Sequence, residues 1–222
     1  MARLAFLGTD TDVGKTHLAA LTLRALRARG CGVVPFKPLA SGSDRAGGDA
    51  GALWEAADRC LPIEHVTPWQ FAEPVAPAFA MTRPGPGEPS EVPVAALLAA
   101  ARVAEQAGEA LLVETAGGLD SPVTPTLTSL QLADLLCGPL VLVALNRLGG
   151  IAAVLAAVDR LRHHRHRLVA VMLNDAAGVD AGLADDNERW LRRYHPDVPW
   201  FRVHRDGGLP EPLVSRLLAA AR

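Results

Sequence analysis

The stretch Gly8-Thr9-Asp10-Thr11-Asp12-Val13-Gly14-Lys15-Thr16 combines residue types that suit one piece of chemistry. A glycine-containing turn that opens a helix aims successive backbone N–H groups at a phosphate, while a lysine reaches its outer oxygens. The Thr16 hydroxyl then suits a magnesium ion bridging those phosphates. Counted from Gly8, the loop is one residue longer than the G-x-x-x-x-G-K-[ST] pattern. Counted back from Lys15, the place of the first glycine falls to Thr9.

Other chemistry-bearing residues lie at the ends of short apolar runs. Lys37 follows "VVPF" and precedes Pro38, a poor place for an idle solvated lysine. Glu114 ends "ALLVE", Asn174 follows "LVAVML", and Asp49 sits in a glycine-rich turn where Asp44 could substitute for it. Thr16, Asp49 and Glu114 are hard oxygen donors, few in number, as a divalent ion that also binds phosphate and water requires. Asn174 carries a paired donor and acceptor for the edge of a base. No Ser/His/Asp or Cys/His arrangement is present, so positioning and charge stabilisation are the available catalytic means.

The elements that must position these residues follow from periodicity. Residues 3–7, 33–36, 110–114, 140–145, 168–173 and 200–203 are apolar enough to be strands buried on both faces. Residues 15–29, 92–107, 150–163 and 181–194 carry helical patterns; Ile151, Val154, Leu155, Val158 and Leu161 keep the i, i+3, i+4, i+7 spacing. This alternation predicts an α/β fold: one domain over residues 1–222, with a mostly parallel sheet flanked by helices on both faces. The carboxyl ends of parallel strands converge on one crevice, which lets Lys15, Lys37, Glu114 and Asn174 meet. Residues 60–92 hold many of the 17 prolines and are expected to form an ordered, irregular loop.

The bulk composition narrows the class. Twenty-two basic and 24 acidic residues give a net charge of −2, with no basic block to track a nucleic-acid backbone. Cys31, Cys60 and Cys137 are widely spaced and odd in number, which predicts reduced thiols in a cytoplasmic protein. No segment reaches the length of a membrane span. The run "RHHRHR" at 162–167 is expected to offset a helix dipole in solvent, and Trp54, Trp69, Trp190 and Trp200 to pack.

The loop "GTDTDVGKT" resembles the "GTDTxVGKT" of ATP-dependent dethiobiotin synthetases, the biotin-pathway enzymes. "FKPLASGS" (36–43), "GDA" (48–50), "FAEP" (71–74), "LVETAGG" (112–118), "NRLGGI" (146–151) and "LND" (173–175) are similar to further segments of that family, in the same order. The place where partner-switching ATPases of the MinD/ParA type carry a signature lysine holds Asp10, which disfavours that class. The resemblance implies a P-loop NTPase-like fold and ATP contacts from Thr9, Asp12, Val13, Gly14, Lys15, Thr16, His17 and Asn174. It implies Mg2+ on Thr16, Asp49 and Glu114, and catalytic roles for Lys37, Lys15, Thr11 and Ser41. Ser41, Gly118, Gly150 and Ile151 would contact substrate. The implied reaction joins 7,8-diaminopelargonic acid and CO2 in a homodimer whose substrate site spans two subunits.

Three segments depart from the family pattern. Ala152 and Ala153 replace the polar pair of L-G-x-I-N-H, "APA" at 76–78 replaces S-P-H, and Thr115 stands in place of glycine. The lost polar pair motivates one competing reading, an ATP-binding regulatory module without diamine chemistry, against which intact Lys37 argues; another is a small-molecule kinase, which should carry an arginine-rich lid and for which Arg45 is weak support. Backbone N–H groups of Gly150 and Ile151 could still hold a carboxylate at a helix N-terminus. The segment 204–210 could close over the base.

Overall fold

Along the first strand, Leu4 and Phe6 join one hydrophobic cluster while Ala5 and Leu7 join another. Successive strand residues point to opposite faces, so this strand is covered on both sides. The computed structural model describes residues 1–42, 46–136, 138–163, 166–175, 177–204 and 207–222. Asp44, Arg45, Cys137, His164, Arg165, Arg205 and Asp206, which enter several of the expectations above, lie outside the described residues.

In chain order the elements are β1 (Ala2–Gly8), α1 (Lys15–Arg27), β2 (Val33–Phe36), β3 (Leu39–Ser41), α2 (Asp49–Ala56), α3 (Ile63–Val66), β4 (Trp69–Phe71), α4 (Pro77–Thr82) and α5 (Val94–Glu105). They continue with β5 (Ala110–Gly118), β6 (Pro122–Thr124), β7 (Leu127–Thr128), α6 (Ser129–Leu136), β8 (Leu140–Asn146), α7 (Ile151–His163), β9 (Leu168–Asp175), α8 (Ala181–Tyr194), β10 (Trp200–Val203) and α9 (Glu211–Ala220). Six strands form one parallel sheet in the order β10-β9-β8-β1-β5-β2. From β1 the chain runs to the β2 edge and later crosses back to β8, so the strand order reverses at β1 and opens a crevice at its carboxyl end. Side chains of α1, α5 and α9 pack in the first cluster and those of α7 and α8 in the second. Among the described residues no helix is long and apolar enough to cross a membrane.

At the β2 edge, Pro35 has no N–H, the Val33 N–H donates to the Cys31 carbonyl at 2.8 Å, and the Lys37 N–H donates to Val66 at 2.8 Å. This holds the strand end that carries the Lys37 side chain. The proline-rich region is more regular than its composition suggests. It contains α3, β4 and α4, because β4 pairs with β3 and buried Phe71 and Met81 anchor it. The helices α2, α6 and α9 are not anticipated by periodicity. Of the four tryptophans Trp200 is fully buried, whereas Trp190 is 46% exposed and stacks under Arg193, which corrects the expectation that it packs. At the end of α7, Arg162 pairs with Asp197 at 2.7 Å in solvent.

Candidate functional site: a phosphate loop with a buried lysine

The turn between β1 and α1 is shaped by its backbone. Gly14 has φ +88°, a left-handed conformation that L side chains rarely adopt, and a Cβ there would collide with the Asn174 amide. Gly14 also starts α1, its carbonyl accepting from the Leu18 N–H at 3.0 Å. Asp12 too has positive φ, at 56°. The Thr9 N–H donates to the Val143 carbonyl at 2.9 Å, fixing the loop to β8. Lys15 lies over the loop, its Nζ donating to the Asp10 carbonyl at 3.0 Å. Burial lowers the Lys15 pKa from its ordinary value, more than the nearby Glu114 carboxylate raises it.

Lys37, Glu114, Asp49 and Thr16 form one connected set. The Lys37 ammonium, with the residue only 4% exposed, donates to Glu114 Oε1 at 2.6 Å and to Asp49. Thr16 Oγ1 donates to the same Glu114 oxygen at 2.7 Å. Burial alone would depress the lysine, but the two carboxylates outweigh it and hold Lys37 above its ordinary range. Burial would raise Asp49, yet the Lys37 charge keeps it below the usual carboxylate range. Glu114 is fully buried, and its second oxygen, Oε2, has no hydrogen-bond partner among the described residues. A buried carboxylate oxygen without a donor is costly unless something satisfies it. That orphaned oxygen, beside a threonine hydroxyl and a second carboxylate, fits a hard divalent cation.

The remaining residues separate into two places. Thr11, Asp12 and Ser41 line a cavity of about 480 Å³ together with Val75, Ala76 and Ala116. The Ser41 hydroxyl is held there by the Val75 carbonyl at 2.7 Å. Gly118 lies in a neighbouring cavity of about 600 Å³, with Thr9, Asp10 and Ala153. Its N–H is occupied by Ser121 Oγ at 2.8 Å. Gly150 and Ile151 line neither cavity. The Gly150 N–H donates to the Arg147 carbonyl at 3.1 Å, so it is not a free anion donor, while Ile151 opens α7 with its side chain packed on the core. His17 is exposed on the first turn of α1. Thr115 is accommodated because it lies inside β5, where a β-branched residue is at ease, and its hydroxyl donates to the Phe6 carbonyl at 3.3 Å.

Comparison with known proteins adds the family. The ATP-dependent dethiobiotin synthetase BioD of Caulobacter sp. (strain K31) is 36% identical over 99% of this chain and 96% of its own length. The chain belongs to the dethiobiotin synthetase family. The protein of the same description from Methylobacterium nodulans is also 36% identical, over 95% of this chain and 96% of its own. A family profile described as an AAA domain matches residues 3–207. Among solved structures, the signal recognition particle receptor FtsY from Elizabethkingia anophelis in complex with GDP superposes with a TM-score of 0.54 at 14% identity. That match covers 99% of this chain and 62% of the FtsY chain, and it shows the fold alone.

Motif reading of this dethiobiotin synthetase family chain misses one group of residues. Asn146, Asp175, Arg202 and His204, at the carboxyl ends of β8, β9 and β10, form a polar network that Asn187 of α8 joins. The only sequence signal is an Asn-Asp pair ending an apolar run, which turn chemistry also explains.

Proposed function

We propose that this chain is an ATP-dependent dethiobiotin synthetase, a cytoplasmic cyclo-ligase that forms a ureido ring from 7,8-diaminopelargonic acid and CO2. The observation that carries the reading is Lys37: a buried ammonium on a strand end, held by two carboxylates directly beside a phosphate loop. One amine of the diamine captures CO2 as a carbamate. A carbamate oxygen then attacks the γ-phosphorus of ATP, and ADP leaves. The second amine attacks the carbamoyl carbon, loses its proton and expels phosphate.

Lys37 stabilises the negative charge that builds up between carbamate and γ-phosphoryl, and Lys15 the charge on the outer phosphate oxygens. Thr11 and Ser41 orient the substrate in the cavity, and apolar Val75, Ala76 and Ala116 line it for an aliphatic chain. Thr16, Asp49 and Glu114 would hold Mg2+, which neutralises phosphate charge when bound. The backbone of Thr9 to Thr16, with His17 at the helix start, cradles the triphosphate. Asn174 reads the base: one of its amide hydrogens is committed to the Val13 carbonyl at 3.0 Å, leaving one donor and one acceptor. A homodimer accounts for Gly150 and Ile151, which stand outside their own chain's cavity and would serve that of a second chain. All of this is carried by one domain.

The test is phosphate release from ATP with magnesium and bicarbonate, with and without the diamine, in wild type and Lys37→Ala. Diamine-dependent release yielding a cyclic urea, reduced about 10²–10³-fold in Lys37→Ala, supports the ligase. Tight ATP binding without diamine-dependent turnover overturns it in favour of a regulatory module on this fold.

A further inference from the structure

Asp175 is a buried carboxylate that the reaction does not use, and it collects an unusual number of donors. Asn146 Nδ2 donates to its Oδ1 at 2.9 Å, Arg202 Nε lies 2.9 Å from both of its oxygens, and His204 Nδ1 lies 2.9 Å from Oδ2. Those partners come from the two strands that flank β9: Asn146 from the end of β8, opposite Asp175 in register, and Arg202 and His204 from the end of β10 and the residue after it. Arg202 also holds Asp185 of α8, and Asn187 of the same helix donates to Asn146 Oδ1 at 2.9 Å. Desolvating a carboxylate and a guanidinium is expensive, and apolar residues of the same size often stabilise as well. The arrangement therefore specifies geometry more than it adds stability.

The geometry in question is that of the preceding residue. Successive strand residues point to opposite faces, so clamping Asp175 on one side fixes the direction of Asn174 on the other. Asn174 reaches across to the phosphate loop at Val13 and abuts Gly14. A small rotation of the β9 end would swing its amide off the base while leaving the loop's own N–H groups in place.

We propose that Asp175, clamped by Asn146, Arg202 and His204, is a positioning residue that sets the aim of Asn174 and hence the recognition of the nucleotide base. The inference rests on the ATP-site reading above. It separates base recognition from phosphate recognition, and two ligands distinguish them: a non-hydrolysable ATP analogue and inorganic tripolyphosphate, which has no base.

The experiment is calorimetric titration of both ligands, with magnesium, into wild type, Asp175→Asn and His204→Ala. The His204 side chain is 70% exposed, so its removal leaves the fold intact even where Asp175→Asn does not fold. The expected result is a loss of about tenfold in affinity for the ATP analogue in Asp175→Asn and about threefold in His204→Ala. Tripolyphosphate affinity should stay within about twofold in both, and discrimination against a CTP analogue should shrink. Equal losses for both ligands, or no loss in His204→Ala, would overturn the positioning role. Diamine-dependent turnover by wild type decides the underlying reading separately: its absence removes the ligase, whereas an unchanged ratio of the two affinities in the variants removes only this inference.

Discussion

Burial holds the Lys15 ammonium below its ordinary value of 10.5, against the pull of Glu114. A bound triphosphate supplies negative charge and raises the Lys15 pKa, so binding takes up a proton between the free and the bound pKa. ATP affinity should therefore weaken as pH rises through that window, and the heat of binding should depend on the buffer's ionisation enthalpy. A Lys15→Met variant should bind weakly at every pH and lose this dependence; calorimetry in two buffers checks it. Glu114 makes a second case, since its orphaned Oε2 is the acceptor that a cation would satisfy. Glu114→Gln should weaken Mn2+ binding in the presence of nucleotide by about tenfold or more, measured by electron paramagnetic resonance. At this scale the sequence was informative: Lys15, Lys37 and Glu114 stand together as residues just past or at strand ends should, and Asp49, read in its glycine-rich turn, joins them. What it concealed was pairing. Nothing in "FKP" or "GDA" reveals that one ammonium holds both carboxylates, because that depends on how the end of β2, the start of α2 and β5 approach one another.

Among the elements, the turn from β1 into α1 is the one most constrained by its backbone. Gly14→Ala should cost about 1–3 kcal/mol from the left-handed φ alone, and it adds a collision with Asn174. Adding Asn174→Ala should relieve the collision and recover part of the stability, while the φ strain stays. Thermal melts of the two single variants and the double variant separate these contributions. A second constraint lies at α2, where a Cβ on Gly51 would strike the Ala46 carbonyl. Gly51→Val should shift the helix that carries Asp49 and weaken Mn2+ binding without touching any ligand. The six core strands were legible because each is an apolar run with turn residues at its ends. The helices α2, α6 and α9 were not: α2 is short and opens within a glycine-rich turn, α6 is only 8 residues long, and α9 begins between two prolines. Asp175 was hidden for a related reason, since its partners lie 27 to 29 residues away, on or just past other strands.

For the molecule as a whole, the two clusters on either side of the sheet divide the work of holding the site. The second is closed at the far edge by Trp200, 2% exposed, whose indole donates to the His195 carbonyl at 2.9 Å. Trp200→Ala should lower stability by about 3–5 kcal/mol. At roughly 2–4 °C per kcal/mol for a chain of this size, calorimetry would read this as a clear drop in Tm. The β10 end would loosen with it, and base discrimination should fall before phosphate binding does. The overall α/β class followed from the alternation of apolar runs with helical stretches, but the strand order did not, because periodicity says nothing about which strands become neighbours. The opposite edge of the sheet behaves differently. Along β2 the Val33 N–H is taken by Cys31, Pro35 has none to offer, and the Lys37 N–H is taken by Val66. A strand from a crowded or half-refolded neighbour thus meets no unoccupied N–H at those three positions, so Pro35, two residues before Lys37, also denies aggregation a template.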